Sequence, residues 1–413
     1  MNFELEPEHR MVQQMVRDFV QREVAPHIRD WDRQQAMDPG ILRRMGELGI
    51  LGICIPTRWG GQGMDYLALG LACEELEAVD TSLRVVMSVH LGLNCLGLLQ
   101  WGSDDQRRAF LEPQARGEKL AGFCLTEPGA GSDVASLGAS ARRDGDDYVL
   151  NGEKMWISLA SRADHFLWFA RTDPQAADPH DGLSAFLLEA DRPGVTRGDI
   201  HGKLGVRAGS TGWVHCQDVR VPATLRLGEE GEGFKIAMAC LDGGRYTVAA
   251  GATGLIRACL EASLRYARQR QAFGRPVAGF QLIQRKIAGM VQSYEMARLL
   301  YLRAGWMKNA GRRNTRETSL AKWFATEASF QAASEAIQIH GAYGYSDEYD
   351  VERYLRNARG AMLYEGTSEI HELIQAGYAL GLRQDAALRR ELPGYIPDDA
   401  ATSVDGGRRS GPM

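Results

Sequence analysis

Apolar residues recur at helical spacing over the first part of the chain. One predicted helical face is formed by Val12, Met15, Val16, Phe19, Val20 and Val24. Further helices are predicted over residues 38–51, over 66–76 with Asp65 as the N-cap, over 81–100, and after Ser103. Residues 1–120 are therefore predicted to form an α-helical domain.

From about residue 121 the pattern changes to short aliphatic and aromatic runs separated by Asp, Pro and Gly. Such runs cover residues 165–172, 183–189 and 213–221, and Asn151-Gly152 predicts a hairpin turn. Because no helical pattern separates the runs, a doubly wound sheet is disfavoured. Residues 121–234 are predicted to form an antiparallel β domain.

Helical spacing returns at Phe234. It predicts one long helix through residues 255–264 and three more over 281–307, 319–340 and 366–382. Residues 235–392 are therefore predicted to form a C-terminal four-helix bundle. Residues 393–413, rich in Gly, Pro, Asp, Ser and Arg, are predicted to fray. The predicted fold class is α+β, in the order α, β, α.

Composition and charge exclude several classes of protein. The 413 residues carry a formal net charge of -5, which gives no electrostatic reason to bind nucleic acid or an anionic membrane. The longest apolar run, residues 91–99, is roughly half of what a membrane-spanning helix needs, and the N-terminus lacks an apolar signal core. Seven dispersed cysteines without a C-x-x-C argue against zinc or disulfides. We expect a cytoplasmic protein with no metal site, no nucleic-acid partner and no membrane partner.

A glycine-rich loop follows the first predicted strand. Residues 123–133 read Phe-Cys-Leu-Thr-Glu-Pro-Gly-Ala-Gly-Ser-Asp, which is not the G-x-G-x-x-G of a nicotinamide site. Glycines allow backbone N–H groups to approach a ligand, and the hydroxyls of Thr126 and Ser132 add donors. Such a loop can hold a flavin edge or a pyrophosphate, and taken by itself it can equally be an ordinary turn.

Four segments occur together in this chain. They are residues 123–133, Met-Trp-Ile-Ser at 155–158, Arg-Gln-Ala-Phe-Gly at 270–274 and Tyr-Glu-Gly-Thr-Ser-Glu-Ile at 364–370. In this order and spacing the chain resembles the acyl-CoA dehydrogenase family from residue 6 to about 384. The resemblance implies an FAD-dependent oxidoreductase of fatty acid metabolism, with an α/β/α fold and a homotetrameric assembly. It also implies an acyl-CoA substrate and an electron-transferring flavoprotein as acceptor.

The resemblance assigns roles to individual residues. Glu365 matches the catalytic base, a role that partial desolvation favours by raising the pKa of a carboxylate; a solvated glutamate in a loop is the alternative. The FAD contacts are implied to be Phe123, Cys124, Leu125, Thr126, Ser132, Trp156, Ile157 and Ser158 within one chain. A neighbouring subunit is implied to add Arg270, Phe273, Gln281, Gln338, Ile339, His340, Gly341 and Ala342. Thr367 and Glu369 match the segment after the base that also meets FAD.

Substrate residues are implied in the same way. Asp242 and Arg245 match a pair near the thioester, Ser132 and Gly366 also match substrate contacts, and a helix-start ion pair is the alternative for Asp242 and Arg245. Arg84, with Glu77, resembles glutaryl-CoA dehydrogenases, in which such an arginine faces a distal carboxylate; an internal ion pair is the alternative. The predicted activity is α,β-dehydrogenation of an acyl thioester. Alternatives are a glutaryl-CoA-type dehydrogenase, an acyl carrier protein-linked dehydrogenase and a flavin monooxygenase of the same fold.

Overall fold

Helices form the first 115 residues of the fold and return at residue 233. The structure, a computed structural model, describes residues 4–397. The helices are α1 (Pro7–Phe19), α2 (Ile28–Gln34), α3 (Gly40–Glu47), α4 (Tyr66–Glu77), α5 (Thr81–Trp101), α6 (104–115), α7 (Gly233–Gln269), α8 (Gln281–Asn309), α9 (Thr315–His340), α10 (Val351–Ala361) and α11 (Ser368–Ala379). The predicted order of α, then β, then α is confirmed.

The N-terminal helices form where the sequence places their start signals. The Asp65 side chain accepts a hydrogen bond of 2.9 Å from the backbone N–H of Ala68, so the predicted N-cap of α4 is confirmed. A cap of this kind contributes about 1 kcal/mol. α10 was not predicted, because its 11 residues include only three large apolar ones, Val351, Tyr354 and Leu355.

α5 is the central helix of the N-terminal domain. Its 21 residues have a mean hydropathy of 1.5, which meets the length and composition of a membrane-crossing helix, but 94% of that window is buried inside the chain. The sequence has no uninterrupted apolar run of this length, because Ser88, His90 and Asn94 interrupt it. All three side chains are buried. α5 is thus a core helix, and its middle, Met87–Cys95, is wound as a π-helix.

The middle of the chain forms an eight-stranded sheet. Its strands are β1 (Ala121–Cys124), β2 (Ser140–Asp144), β3 (Asp147–Ser158), β4 (His165–Arg171), β5 (Leu183–Glu189), β6 (Val195–Asp199), β7 (Thr211–Pro222) and β8 (Arg226–Leu227). They run in the order β6-β7-β3-β2-β4-β5-β8, with β1 beside β4. Pairing is antiparallel except where β1 and β2 meet β4. A separate hairpin of β9 (Gln271–Ala272) and β10 (Arg275–Pro276) follows α7.

The predicted Asn151-Gly152 hairpin turn is wrong. Both residues lie inside β3, and the hairpin turn is formed instead at residues 145–146, between β2 and β3. The Asn151 side chain bonds Asp218 of β7, and a register shift between Leu150 and Gly152 marks a bulge. Gly152 has φ 143°, and a Cβ there would lie 2.6 Å from the Ala139 Cβ. The glycine serves close packing within the sheet.

α7 joins the two helical regions, because it packs against α4 and α5 of the N-terminal region and against α8 and α9 of the C-terminal region. Beyond α11 the chain returns over the helices: the Pro393 carbonyl accepts a 2.8 Å hydrogen bond from the Tyr66 hydroxyl, and the Tyr395 N–H donates to the Asn309 carbonyl at 3.0 Å. The remainder of the predicted tail, 398–413, lies outside the described residues. α5, α7 and α9 converge on the loop between α10 and α11.

Candidate active site

The loop between α10 and α11 carries Glu365 in a left-handed backbone conformation. Glu365 has φ 56° and Gly366 has φ 98°, a region that a non-glycine residue rarely occupies. Two cations hold the carbonyls of this turn. Arg245 Nε of α7 donates to the Glu365 carbonyl at 3.1 Å, and Lys322 Nζ of α9 donates to the Gly366 carbonyl at 2.7 Å. The turn is thereby fixed between two helices.

The Glu365 carboxylate is a desolvated acid. The residue is half-buried, and its Oε2 atom is buried without a hydrogen-bond partner among the described residues. Burial raises the pKa of Glu365 to about 7, although Arg84, Lys322 and Arg245 each act to lower it. A Cβ at Gly244 would lie 2.1 Å from Oε2, so glycine is needed there to admit the carboxylate. A carboxyl group that titrates near neutral pH suits a general base.

One further buried polar atom in this region also lacks a partner within residues 4–397. It is Oγ of Ser368, on the first turn of α11. Buried polar atoms are normally hydrogen-bonded, so two unsatisfied atoms within four residues call for an explanation. A ligand that binds next to Glu365 is such an explanation.

Arg84 lies in a buried polar cluster beside the base. Its guanidinium bonds Glu77 Oε2 at 2.5 Å, Ser88 Oγ at 2.9 Å and the Tyr364 hydroxyl. Although burial alone lowers the pKa of Arg84, Glu77 raises it above its ordinary value. Ser88 also shares a 2.6 Å hydrogen bond with the hydroxyl of Thr247 on α7. The ion pair that sequence reasoning left as an alternative is therefore present, and it touches the residue before the base.

The glycine-rich loop follows β1, and three hydroxyl groups in this region make no hydrogen bond within the described chain. Phe123, Cys124 and Leu125 are buried, so their side chains belong to the core. The Thr126 carbonyl accepts a hydrogen bond of 2.9 Å from the N–H of Met155 in β3. A Cβ at Gly129 or Gly131 would meet nothing within 4 Å. The side-chain hydroxyls of Thr126, Ser132 and Ser158 make no hydrogen bond within the described chain.

Trp156 stands out in the same region. Its φ is 61° and its side chain is 60% exposed, while the next residue, Ile157, is buried. A left-handed conformation is strained for a residue other than glycine, and such strain concentrates at functional sites. The exposed indole offers a flat surface on which a planar group can stack. The loop glycines leave room for a ligand, the hydroxyls can bond it, and the Trp156 ring can stack on it. Together these features fit a flavin at the end of β1.

The second set of predicted cofactor residues lies on the C-terminal helices. Arg270 is exposed, with its guanidinium 5.6 Å from the Tyr343 ring centre, and Phe273 is 93% exposed. The predicted residues Gln281, Gln338, Gly341 and Ala342 are also exposed. Ile339 and His340 are buried, and His340 stacks on Tyr266 at 4.2 Å, so their side chains are packing residues. No hydrogen bond or ion pair among residues 4–397 joins this set to the β1 loop.

The remaining predicted residues lie on α7 and at the start of α11. Asp242 and Arg245 form an ion pair of 3.3 Å on α7, and the same arginine reaches the Glu365 carbonyl. Asp242 also accepts a 2.5 Å hydrogen bond from the Thr315 hydroxyl. Thr367 caps α11 by accepting from the Ile370 N–H, and Glu369 is exposed.

Three residues near the base were not predicted from the sequence. Lys322 and His371 are fully buried, and Gly244 faces the carboxylate. A sequence signal existed for Lys322, because it lies four residues from Thr318 and Thr326 on the buried face of α9. A lysine on such a face needs a special partner. For His371 and Gly244 no sequence signal distinguishes them from core residues.

Three family models and many curated proteins match this chain. Family models described as the N-terminal, middle and C-terminal domains of acyl-CoA dehydrogenase match residues 6–118, 122–219 and 231–379. A probable acyl-CoA dehydrogenase of Bacillus subtilis is 42% identical over 376 residues, covering 91% of this chain and 99% of that protein.

Solved structures share the fold as well. Butyryl-CoA dehydrogenase from Megasphaera elsdenii matches with a TM-score of 0.90 and 37% identity, over 92% of this chain and 100% of that one. A glutaryl-CoA dehydrogenase in complex with glutaryl-CoA matches with a TM-score of 0.91 and 37% identity, over 96% and 100%. A glutaryl-CoA dehydrogenase from Mycobacterium smegmatis, solved with FADH2, matches at 0.87 and 34%, over 93% and 97%.

Proposed function

Because the chain belongs to the acyl-CoA dehydrogenase family, we propose that it introduces an α,β double bond into an acyl-CoA with Glu365 as the base. The observation that carries this proposal is the Glu365 carboxylate. Its Oε2 is buried and unpartnered, and burial raises its pKa to about 7. A proton acceptor with this pKa can remove the proton next to a thioester near neutral pH.

The residues around the base prepare it for this step. Arg245 and Lys322 fix the backbone of the turn, and the carboxylate lies against Gly244 of α7. Because no donor among residues 4–397 bonds to Oε2, its lone pairs are free to accept the α-proton. The cations Arg84, Arg245 and Lys322 favour the ionised carboxylate against the cost of burial.

The protein would hold FAD at the end of β1, where Thr126, Ser132 and Ser158 offer hydroxyls and Trp156 a flat surface. FAD, when bound, supplies the acceptor for the hydride that leaves the β-carbon. Arg270 and Gln338 of a neighbouring copy would complete the site. We further propose a homotetramer, supported by apolar side chains exposed along α8: Leu282, Val291, Met296, Leu299 and Trp306. An electron-transferring flavoprotein is the proposed electron acceptor.

Replacing Glu365 by glutamine tests the base. The amide is nearly isosteric and cannot accept the proton, so we expect turnover to fall by about 10²–10⁴-fold while flavin absorbance is retained. Glu372→Gln is the matched control, because Glu372 is an exposed residue of α11. Near-normal flavin bleaching by the best acyl-CoA in Glu365→Gln would refute the assignment.

A dicarboxylic acyl-CoA is a second candidate substrate, favoured by the buried Arg84. The guanidinium has five N–H donors and uses three of them within the described chain, on Glu77, Ser88 and Tyr364. Two donors are therefore left for a distal carboxylate. The competing candidate is a short neutral acyl chain, with Arg84 serving only as the internal partner of Glu77.

The two candidates are separated by the ratio of kcat/KM for glutaryl-CoA and butyryl-CoA. If Arg84 binds a distal carboxylate, Arg84→Ala lowers that ratio at least tenfold, equivalent to about 1.4 kcal/mol. The double variant Glu77→Ala/Arg84→Ala serves as the control, because it does not leave the Glu77 carboxylate unpaired. No turnover of glutaryl-CoA by the wild type, or an unchanged ratio, would leave Arg84 as a structural ion pair.

A further inference from the structure

Lys322 is a buried cation without a carboxylate partner. Its side chain is 0% exposed on the inner face of α9, and no carboxylate among residues 4–397 lies within ion-pair distance of Nζ. Within the described part of the chain, Nζ makes one hydrogen bond, to the Gly366 carbonyl at 2.7 Å. An unpaired ammonium in the interior costs several kcal/mol, so its presence calls for a compensating negative charge.

The charged groups that face Glu365 come from three helices. Arg84 on α5 is compensated by Glu77, and Arg245 on α7 is compensated by Asp242. Lys322 on α9 has no such acid within residues 4–397, although Glu365 and, more weakly, Glu327 of its own helix act to raise its pKa. His371 on α11 adjoins the turn, but burial lowers its pKa to about 2, so it stays neutral.

Lys322 and Glu365 therefore complement each other. One is a buried cation without an acid, and the other is a buried acid whose Oε2 has no donor. The negative charge of Glu365 is the strongest influence that opposes the lowering of the Lys322 pKa by burial. Lys322 is also connected to the base by its hydrogen bond to the carbonyl of Gly366, the residue after Glu365.

We propose that Lys322 is a positioning residue for the base: it holds the Glu365–Gly366 turn through the Gly366 carbonyl and, beside Arg84 and Arg245, adds positive charge that favours the ionised carboxylate of Glu365. The inference rests on the proposed function, in which Glu365 removes the α-proton. Burial lowers the pKa of Lys322 to about 7, and the carboxylate of Glu365 acts to raise it. Each group thus favours the charged form of the other.

The test uses Lys322→Met, Lys322→Gln and Lys322→Arg in the holoenzyme, with kcat/KM measured from pH 5 to 9. The acid limb of this profile reports the base in the free enzyme. Met removes both charge and donor, Gln removes the charge and keeps a donor, and Arg keeps both. We expect the acid limb to move up by about one pH unit in Met and Gln and to return toward the wild-type position in Arg.

Lys308→Met is the matched control. Lys308 on α8 is also buried, at 4% exposure, and burial lowers its pKa, but it is not among the groups that act on Glu365. Its replacement should change stability without moving the acid limb. A limb that stays within about 0.2 pH unit in both Lys322→Met and Lys322→Gln would overturn the proposal, as would an arginine variant that behaves like methionine.

A double-mutant cycle covers the case in which Lys322→Met binds flavin poorly. Unfolding by urea is measured for Lys322→Met, Glu365→Gln, the pair and the wild type at pH 7. Interacting charges give a non-additive result, whereas a lysine that only fills space gives an additive one and refutes the inference. If Glu365→Gln remains active, the proposed function fails; if it is inactive and the limb does not move, only the role of Lys322 fails.

Discussion

The raised pKa of Glu365 predicts how the stability of the chain depends on pH. In the unfolded chain the carboxyl group titrates at about 4.5, and in the folded chain burial raises its pKa to about 7. Between these values the folded chain keeps a proton that the unfolded chain has released. The folded state therefore loses stability as pH rises from 4.5 to 7. Glu365→Gln removes this loss because its amide does not titrate.

The magnitude follows from the size of the shift. A raise from 4.5 to about 7, at about 1.4 kcal/mol per pH unit, corresponds to about 3 kcal/mol. Lys322 adds to the effect in the same direction, because the Glu365 carboxylate raises its pKa and the variant lacks that carboxylate. The free energy of unfolding of Glu365→Gln, relative to wild type, should thus increase by about 3 kcal/mol between pH 4.5 and 8.

The assay is urea unfolding of both proteins, stripped of flavin, at pH intervals from 4.5 to 8.5. Apart from Lys322, whose contribution has the same sign, the other titrating groups keep their surroundings in both proteins, so their contributions cancel in the difference. Glu372→Gln, on the exposed face of α11, provides the baseline. A Glu365→Gln difference that stays constant within about 0.5 kcal/mol across this range would show that the carboxylate is not desolvated, and the argument for the base would fail.

Gly244→Ala should lower kcat by at least about tenfold while KM changes less, because the new Cβ would lie 2.1 Å from Glu365 Oε2 and displace the base. Gly289→Ala, which meets nothing within 4 Å, should keep wild-type kcat, and equal behaviour of the two variants would refute the steric argument. Replacing exposed Phe273 and Trp306 by Asp should yield a smaller assembly on light scattering that loses FAD on gel filtration. A monomer that retains stoichiometric FAD would contradict the proposed completion of the site by a neighbouring copy.

The sequence by itself determined the order of elements and the location of the chemistry. Apolar spacing of 3.6 residues defined the long helices, because one buried face is enough to fix a helix. Asp65 fixed the start of α4 through a local hydrogen bond. The segment at 364–370 marked Glu365 through its resemblance to a known family. Each of these signals lies within a few residues of the chain.

The tertiary structure alone decided what surrounds the base. Lys322 lies 43 positions before Glu365 in the sequence, yet it bonds the carbonyl of Gly366. Gly244, more than 100 positions before Glu365, leaves the space that the carboxylate occupies. The Asn151-Gly152 pair gives a strong local turn signal, yet pairing of β3 with both β2 and β7 keeps it inside a strand. Local propensity is worth about 1 kcal/mol, and a ladder of paired strands outweighs it. Desolvation, which raises the pKa of Glu365, exists only once α5, α7 and α9 have packed around it.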